Sequence, residues 1–285
     1  MALAVPTRFG QTLNIKTTEN IPPTIHWQSL TCDNISWFEG IFDAQHLKST
    51  HNNNQDIANT LTDILTSAKT HGEHFFDTQV AYQVTTQLDF PRDWGLGSSS
   101  TLIHGISDFT GANPYLLLNE TMGGSGYDLA CASATQPILF QRNGIEPIVE
   151  KVDFQPDFLN QLYFIYLGKK QNSREGIQRY QARAIYASML IDDVYALTNA
   201  MLNARQLTDF EQIMTEHETL IAETLELEKV KDLYFLDYWG AIKSLGAWGG
   251  DFVLATSNRD TETTKTYFKN KGFDVFLSYN EMILS

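Results

Sequence analysis

Two cysteines, Cys32 and Cys131, are all that this 285-residue chain contains, too few for a disulfide framework or a cysteine-rich metal cluster. Basic residues are scarce as well, with 20 Lys and Arg against 34 Asp and Glu and a formal net charge of −14. Such a surface repels a polyanion, so nucleic acid is disfavoured as a partner without a strong local basic patch. An anionic small molecule meets the same field, which makes each cation near a motif informative. No uninterrupted apolar run reaches the ~20 residues of a membrane span. Met1–Val5 is too short an apolar core for a secretory signal, and Pro6-Thr7-Arg8 follows at once. A cytoplasmic protein with no membrane contact is the expectation. Internal repeats and low-complexity tracts are missing too. So are the pattern Gly-x4-Gly-Lys-Ser/Thr and a Gly-x-Gly-x-x-Gly after a strand, which speaks against P-loop and Rossmann folds.

What the chain does have is glycine in three clusters. The first lies in Pro91-Arg92-Asp93-Trp94-Gly95-Leu96-Gly97-Ser98-Ser99-Ser100. A period-2 run, Val80 to Thr86, precedes it, and Leu102, Ile103, Ile106 and Phe109 follow at helical spacing, so a strand feeds a glycine loop that opens into a helix. Unpaired N–H groups and the positive end of a helix dipole favour an anion there, with a nucleotide phosphate as the leading candidate. The plainer alternative is that a serine simply caps the helix. The second cluster is Gly123-Gly124-Ser125-Gly126-Tyr127-Asp128, entering the small-residue segment Leu129–Ala134, and the third is Gly246-Ala247-Trp248-Gly249-Gly250. Three glycine-rich segments, each beside a regular element, are better explained as parts of one site than as three unrelated turns.

Between these clusters the pattern alternates strands and helices. Strands are expected around Leu3–Val5 and Phe9–Ile15, a hairpin over 24–28 and 35–38, a helix over 54–69, and a strand over 78–88 with Val80, Tyr82 and Val84 facing the core. A helix over 99–110 ends at Gly111, and Asn113-Pro114 restarts a short one. Ile138–Phe140 and Pro147–Val149 read as a hairpin around Asn143-Gly144. A boundary is placed near Gln155-Pro156-Asp157, dividing the chain into 1–155 and 156–285. Beyond it come a strand at 162–167, a basic turn at 168–174, helices over 175–203 and 207–225, a strand at 252–255, a helix over 260–271, and a closing strand at 273–277. The fold class is α+β.

On its motifs the chain resembles the GHMP small-molecule kinases, which include galactokinase, homoserine kinase, mevalonate kinase and phosphomevalonate kinase. Pro91 to Ser99 is similar to their Pro-x3-Gly-Leu-Gly-Ser-Ser-Ala, with Ser100 in place of the alanine. Gly246–Gly250 looks like their Gly-Ala-Gly-Gly-Gly, with Trp248 in a glycine's place. Ser125–Asp128 is similar to the Ser-Gly-x-Asp of the mevalonate branch, and Gly126–Ala132 resembles a bacterial subgroup named for Gly-Tyr-Asp-Ile-Ala. The resemblance implies two domains, the first ribosomal-protein-S5-domain-2-like and the second ferredoxin-like, with ATP and Mg²⁺ in the cleft between them. It implies phosphorylation of a small-molecule hydroxyl, most of all mevalonate or phosphomevalonate. A sugar kinase, a diphosphomevalonate-decarboxylase-like enzyme and a nucleotide-binding protein without turnover stand as alternatives, and a homodimer is allowed.

Phosphoryl transfer asks chiefly for positioning and charge stabilisation. The backbone N–H groups of Gly95, Leu96, Gly97 and Ser98 would cradle the triphosphate beside Ser99 and Ser100. The Ser98 or Ser99 hydroxyl would approach the phosphates or the magnesium ion, which prefers oxygen ligands. Asp128 would accept the proton of the substrate hydroxyl or hold it in line; its alternative role is a helix cap. Lys169, Lys170, Ser173 and Arg174 form the compact basic cluster beside a strand end and would receive a substrate carboxylate or phosphate, the alternative being a solvated helix start. Gly246, Ala247, Gly249 and Gly250 would let the backbone close over phosphates or substrate. The resemblance sets the start of this sequence at the strand after a Gly-Glu-His or Gly-Glu-Tyr motif, so that motif and the lysine upstream of it are not in the sequence as given. The magnesium-binding glutamate expected about a dozen residues before the aspartate has no clear counterpart, Glu120 lying only eight before Asp128.

Overall fold

The structure, a computed structural model, describes residues 1–18, 23–169, 173–183, 189–246, 248 and 251–284. It is an α+β fold with two sheet-rich lobes. The larger sheet has five strands, β2 (Gln11–Thr18), β3 (Thr24–Leu30), β4 (Ser36–Asp43), β5 (Ser49–Asn52) and β6 (Ala81–Leu88), in the order β2-β6-β3-β4-β5. All neighbours run antiparallel except β3 and β6. On β6 the expected parity holds for Tyr82 and Val84, which pack on the core along with the buried Thr86 and Leu88, whereas Val80 lies ahead of the strand and is half-buried. On β3, Ile25, Trp27 and Ser29 are inside. Four helices cover that face: α1 (Gln55–His71), α2 (Ser98–Thr110), α3 (Pro114–Thr121) and α4 (Tyr127–Ser133). Ile64, Leu65, Ile103, Ile106, Leu117 and Leu129 from these helices close one core with Phe38, Phe42 and Val84 of the sheet. A smaller sheet, β1 (Ala2–Ala4), β7 (Ile138–Gln141) and β8 (Ile148–Lys151), flanks it in the order β1-β7-β8. Asn113 caps α3 through bonds from the Tyr115 and Leu116 amides at 2.9 and 3.3 Å.

The second lobe is built on β9 (Leu162–Tyr166), β10 (Ile242–Ser244), β11 (Phe252–Thr256) and β12 (Phe276–Ser278), antiparallel in the order β10-β11-β9-β12. β9 and β11 read as unbroken apolar runs because both of their faces are covered. On one face Phe164, Tyr166, Phe252 and Leu254 meet Phe210 and Met214 of α7 (Leu207–Leu225). On the other, Tyr163, Ile165, Val253 and Ala255 meet Phe235 and Phe268, the latter on α9 (Thr261–Asn270). The remaining helices are α5 (Ser173–Ala182), α6 (Ile191–Asn203), α8 (Val230–Tyr234) and α10 (Tyr279–Met282). No described helix is long and apolar enough to cross a membrane.

Three expectations need correction. β5 is a strand that the polar sequence Ser49-Thr50-His51-Asn52 does not announce; it is an edge strand held by β4 alone. The helix expected over 175–203 is described as two, α5 and α6, with 184–188 outside the described residues. The closing strand lies at Phe276–Ser278 rather than 273–277, and the capping box of Ser278 and Glu281 then starts α10.

Gly240 sits where the chain enters β10. A Cβ there would stand 2.0 Å from the backbone oxygen of Thr256, whose side chain accepts from the Ala241 amide at 2.9 Å. Backbone cannot rotate aside as a side-chain tip can. Gly240→Ala should therefore destabilise the protein by about 3 kcal/mol, at the upper end for overpacking, read as a drop in denaturation midpoint with an unchanged m-value.

Candidate functional site

The glycine loop is positioned by the residues ahead of it. The short 3-10 turn Arg92–Trp94 places the Arg92 guanidinium 3.8 Å from the Trp37 ring of β4. Trp94 points the other way, packing edge-on against Phe9 and Phe252 at 5.4 and 5.5 Å between ring centroids. The Tyr166 hydroxyl of β9 donates to the carbonyl and carboxylate of Asp93 at 3.0 and 3.1 Å. One three-residue stretch is thus tied to both lobes before the loop begins. Trp94→Ala removes the apolar part of that tie. It should cost about 2 kcal/mol, less than the ~3–5 kcal/mol of a fully buried aromatic because Trp94 is half-buried. Nucleotide affinity should fall with it, measured on the same variant by calorimetry.

The loop itself turns on two left-handed glycines, Gly95 (φ 68°, ψ 20°) and Gly97 (φ 78°, ψ 34°). Gly97 is the N-cap of α2 and no side chain caps that helix, so the serine-cap alternative does not hold and the first N–H groups stay available. Gly126 (φ 82°) is the N-cap of α4, where the Ser125 hydroxyl accepts from the Tyr127 amide at 3.2 Å. Asp128 is in the first turn of α4 rather than at its cap, so it is not spent on capping. Its Cβ would lie 3.5 Å from a Cβ on Gly97, which places the carboxylate beside the loop.

A second carboxylate faces the loop. A Cβ on Gly95 would come within 2.1 Å of an Asp251 carboxylate oxygen. Asp251 immediately precedes β11 and directly follows the third glycine cluster. Crowding by the surrounding protein raises the Asp128 carboxyl above its ordinary range, and the neighbouring Asp251 charge raises it further. Tyr166 is pushed up to about 12 by burial first, then by its bond to Asp93 and the charges of Asp93 and Asp251.

Gly95, Leu96, Gly97, Ser98, Ser99, Ser100, Asp128 and Gly246 all line one cleft of about 2310 Å³, well beyond the ~300–1,000 Å³ of a single small-ligand pocket. Trp248 and Asp251 line it too. Trp248 keeps the left-handed backbone (φ 56°) that glycine favours, and its ring stacks on Tyr180 of α5 at 6.2 Å and 22°. Lys169 is elsewhere: it is exposed, with its Nζ 5.9 Å from the Tyr234 ring centroid, and is not among the cleft-lining residues. Lys170, Ala247, Gly249 and Gly250 lie outside the described residues, as do the side chains of Ser173 and Arg174. Glu120 is committed to tying α3 to α1, accepting from Ser67 at 2.6 Å and pairing with His71 at 3.0 Å. Asp251 and the Trp94 anchor were not singled out from the sequence, because no spacing rule marks a residue whose role depends on the loop it faces.

The residues present suit a triphosphate and magnesium. The loop is a cradle that side chains would fill, it leads into uncapped N–H groups, and the donors around it are hydroxyl and carboxylate oxygens. No group of three or more His, Cys, Asp or Glu side chains gathers among the described residues.

No protein-family model matches the sequence, and no curated protein matches it. Solved structures do match. The mevalonate kinase of Methanococcus jannaschii superposes with a TM-score of 0.66 over 96% of this chain and 89% of its own, at 17% identity. The Streptococcus pneumoniae phosphomevalonate kinase, in complex with phosphomevalonate and AMPPNP, gives 0.66 over 94% and 90% at 15% identity. The Lactococcus lactis galactokinase, complexed with galactose, gives 0.65 over 98% and 87% at 13% identity. The chain has the fold of these small-molecule kinases. At such identities the likeness speaks for the fold, and the expectation of a two-lobed α+β architecture is met at that level.

Proposed function

We propose that this protein is a GHMP-type kinase that transfers the terminal phosphoryl group of ATP to the hydroxyl of a small molecule, with mevalonate or phosphomevalonate as the leading acceptors. The first lobe would be the S5-domain-2-like nucleotide domain and the second the ferredoxin-like one. The observation that carries this reading is the meeting of Gly97 and Asp128: an uncapped, glycine-turned helix start with a carboxylate against it, inside a cleft large enough for two ligands.

Bound ATP–magnesium would supply the phosphoryl group and the cation that screens its charge. The rest falls to the chain's own residues. The amides of Gly95 to Ser98 point donors at the phosphates, and the hydroxyls of Ser98 and Ser99 offer oxygen to the phosphates or the metal. Asp128 holds the acceptor hydroxyl and receives its proton. A carboxyl raised above its usual range is a stronger base once ionised, which suits that task. Asp251, against the loop at Gly95 and near enough to Asp128 to raise it, keeps negative charge next to the phosphate cradle, so binding there favours the magnesium complex over free nucleotide. The stacked pair Tyr180 and Trp248 lines the cleft and covers part of it with apolar surface. The reading is tested by calorimetric titration with AMPPNP in the presence and absence of magnesium. Binding that requires magnesium supports it. No binding in either case removes it.

A further inference from the structure

The proposed chemistry leaves one interior cation of the cleft unused. Lys243 of β10 lies opposite Leu254 of β11, which in turn lies opposite Phe164 of β9. Opposed residues of antiparallel strands share a face, so Lys243 stands on the sheet face that borders the cleft, and it lines the cleft with both of those residues. Its ammonium donates one hydrogen bond, to the Ser244 carbonyl at 3.1 Å, and has three protons to give. The adjoining carboxylate does not take the other two. Glu218, buried on α7, is held by the Ser244 amide at 3.2 and 3.1 Å and by the Ser244 hydroxyl at 2.6 Å. It forms no ion pair with Lys243 among the described residues.

Beside it is a second underused group. His217 precedes Glu218 on α7, lines the same cleft, and has a buried Nδ1 with no partner among the described residues. Burial, aided by the Lys243 charge, pushes the His217 imidazole down to about 3. Burial also pulls the Lys243 ammonium below its ordinary value, against the pull of Glu218. A buried ring nitrogen without a partner carries a cost that a ligand's hydrogen bond removes, and the half-buried Lys243 beside it has protons to spare for the same ligand. Arg8 and Arg142 also line the cleft, but neither shares the apolar sheet face that surrounds Lys243.

Resting on the kinase reading, we propose that Lys243 and His217 form an anion subsite at the second-lobe end of the cleft, which takes the carboxylate or phosphate of the phosphoryl acceptor. The acceptor is then an anionic alcohol, a hydroxy acid or a phosphorylated alcohol, rather than a neutral sugar. The apolar face around Lys243 strengthens a charge pair formed there.

The test uses the whole chain saturated with magnesium–AMPPNP, so that the glycine loop is filled. Inorganic phosphate and acetate are titrated separately into the wild type, Lys243→Met and Lys243→Arg, with the His217 ring signals followed by NMR. In the wild type at least one of the two anions should shift the His217 ring signals saturably, and which of them binds more tightly identifies the ligand as phosphate or carboxylate. Lys243→Met should weaken that anion at least tenfold, Lys243→Arg should restore part of the affinity, and AMPPNP binding should be unchanged in both. No shift of His217 with either anion, or equal affinity in Lys243→Met, overturns the subsite. Loss of AMPPNP binding already in the wild type overturns the kinase reading instead. Melting curves of the variants establish that they are folded, and Lys243→Arg keeps the charge should the Met variant unfold.

Discussion

Asp128→Ala should lower kcat about 10²–10⁴-fold, the usual contribution of a positioned acid or base, while AMPPNP binds within about twofold of the wild type. The split follows from the geometry. Asp128 flanks the loop at Gly97, but the contacts expected of the nucleotide are with backbone amides that the substitution leaves in place. Removing a negative charge beside the phosphates even favours their binding slightly. A fall in kcat with equal weakening of nucleotide would mean that Asp128 holds the loop together rather than handling the acceptor hydroxyl. Stability should move the opposite way from activity. The carboxyl is raised in the folded protein by the atoms packed around it and by Asp251, but it is open to solvent in the cleft, so its ionisation disfavours the native state only slightly. Below the unfolded value, ~3.9, both states are protonated and the penalty is absent. It grows as pH rises through the raised folded value and is complete above it. Asp128→Asn should therefore melt above the wild type at neutral pH, with the gain vanishing in acid; a gain that persisted in acid would contradict this origin.

Gly95→Ala is expected to weaken nucleotide binding at least tenfold while the protein stays folded. Two costs combine at this position. A left-handed φ of 68° disfavours any residue with a Cβ by roughly 1 kcal/mol, and the new methyl would overlap the Asp251 carboxylate, 2.1 Å away. Asp251 can swing aside only by leaving its place against the loop, and the loop can shift only by moving its amides off the phosphates. The double variant Gly95→Ala with Asp251→Ala separates the two terms. Relieving the overlap should recover part of the affinity and leave the φ cost. Equal affinity in the single variant and the wild type would show that the phosphates do not rest on this turn.

The local structure of the candidate site's glycine segments was legible in the sequence because it depends on neighbouring residues alone. Gly95, Gly97 and Ser98 announce a strand–loop–helix by spacing alone, and the structure has β6, the turn and α2 in those places. Gly126 and Asp128 likewise announce a turn into a helix, although which residue caps it is settled only by the backbone angles. Features that depend on distant chain segments were not legible. Asp251 acquires meaning only when β11 brings it against Gly95, and Lys243 only when β9, β10 and β11 align and α7 sets His217 beside it. Lys169 shows the reverse case, since its place beside Lys170 at a strand end suggested a ligand contact. After the left-handed Gly168 it instead lies near Tyr234. In the fold, β9 and β11 were plain from their apolar runs, whereas β5 was hidden by polar residues that an edge strand tolerates.

The proposed activity of the cleft is transfer of a phosphoryl group from ATP to a small hydroxyl compound through Asp128. It is tested most directly by measuring ADP release with magnesium–ATP and, one at a time, mevalonate, phosphomevalonate, homoserine and galactose, in the wild type and in Asp128→Ala. ADP release should depend on an anionic acceptor, mevalonate or phosphomevalonate first, and should be lost in the variant. ADP release that depends on none of the four, or that continues undiminished in Asp128→Ala, would contradict it.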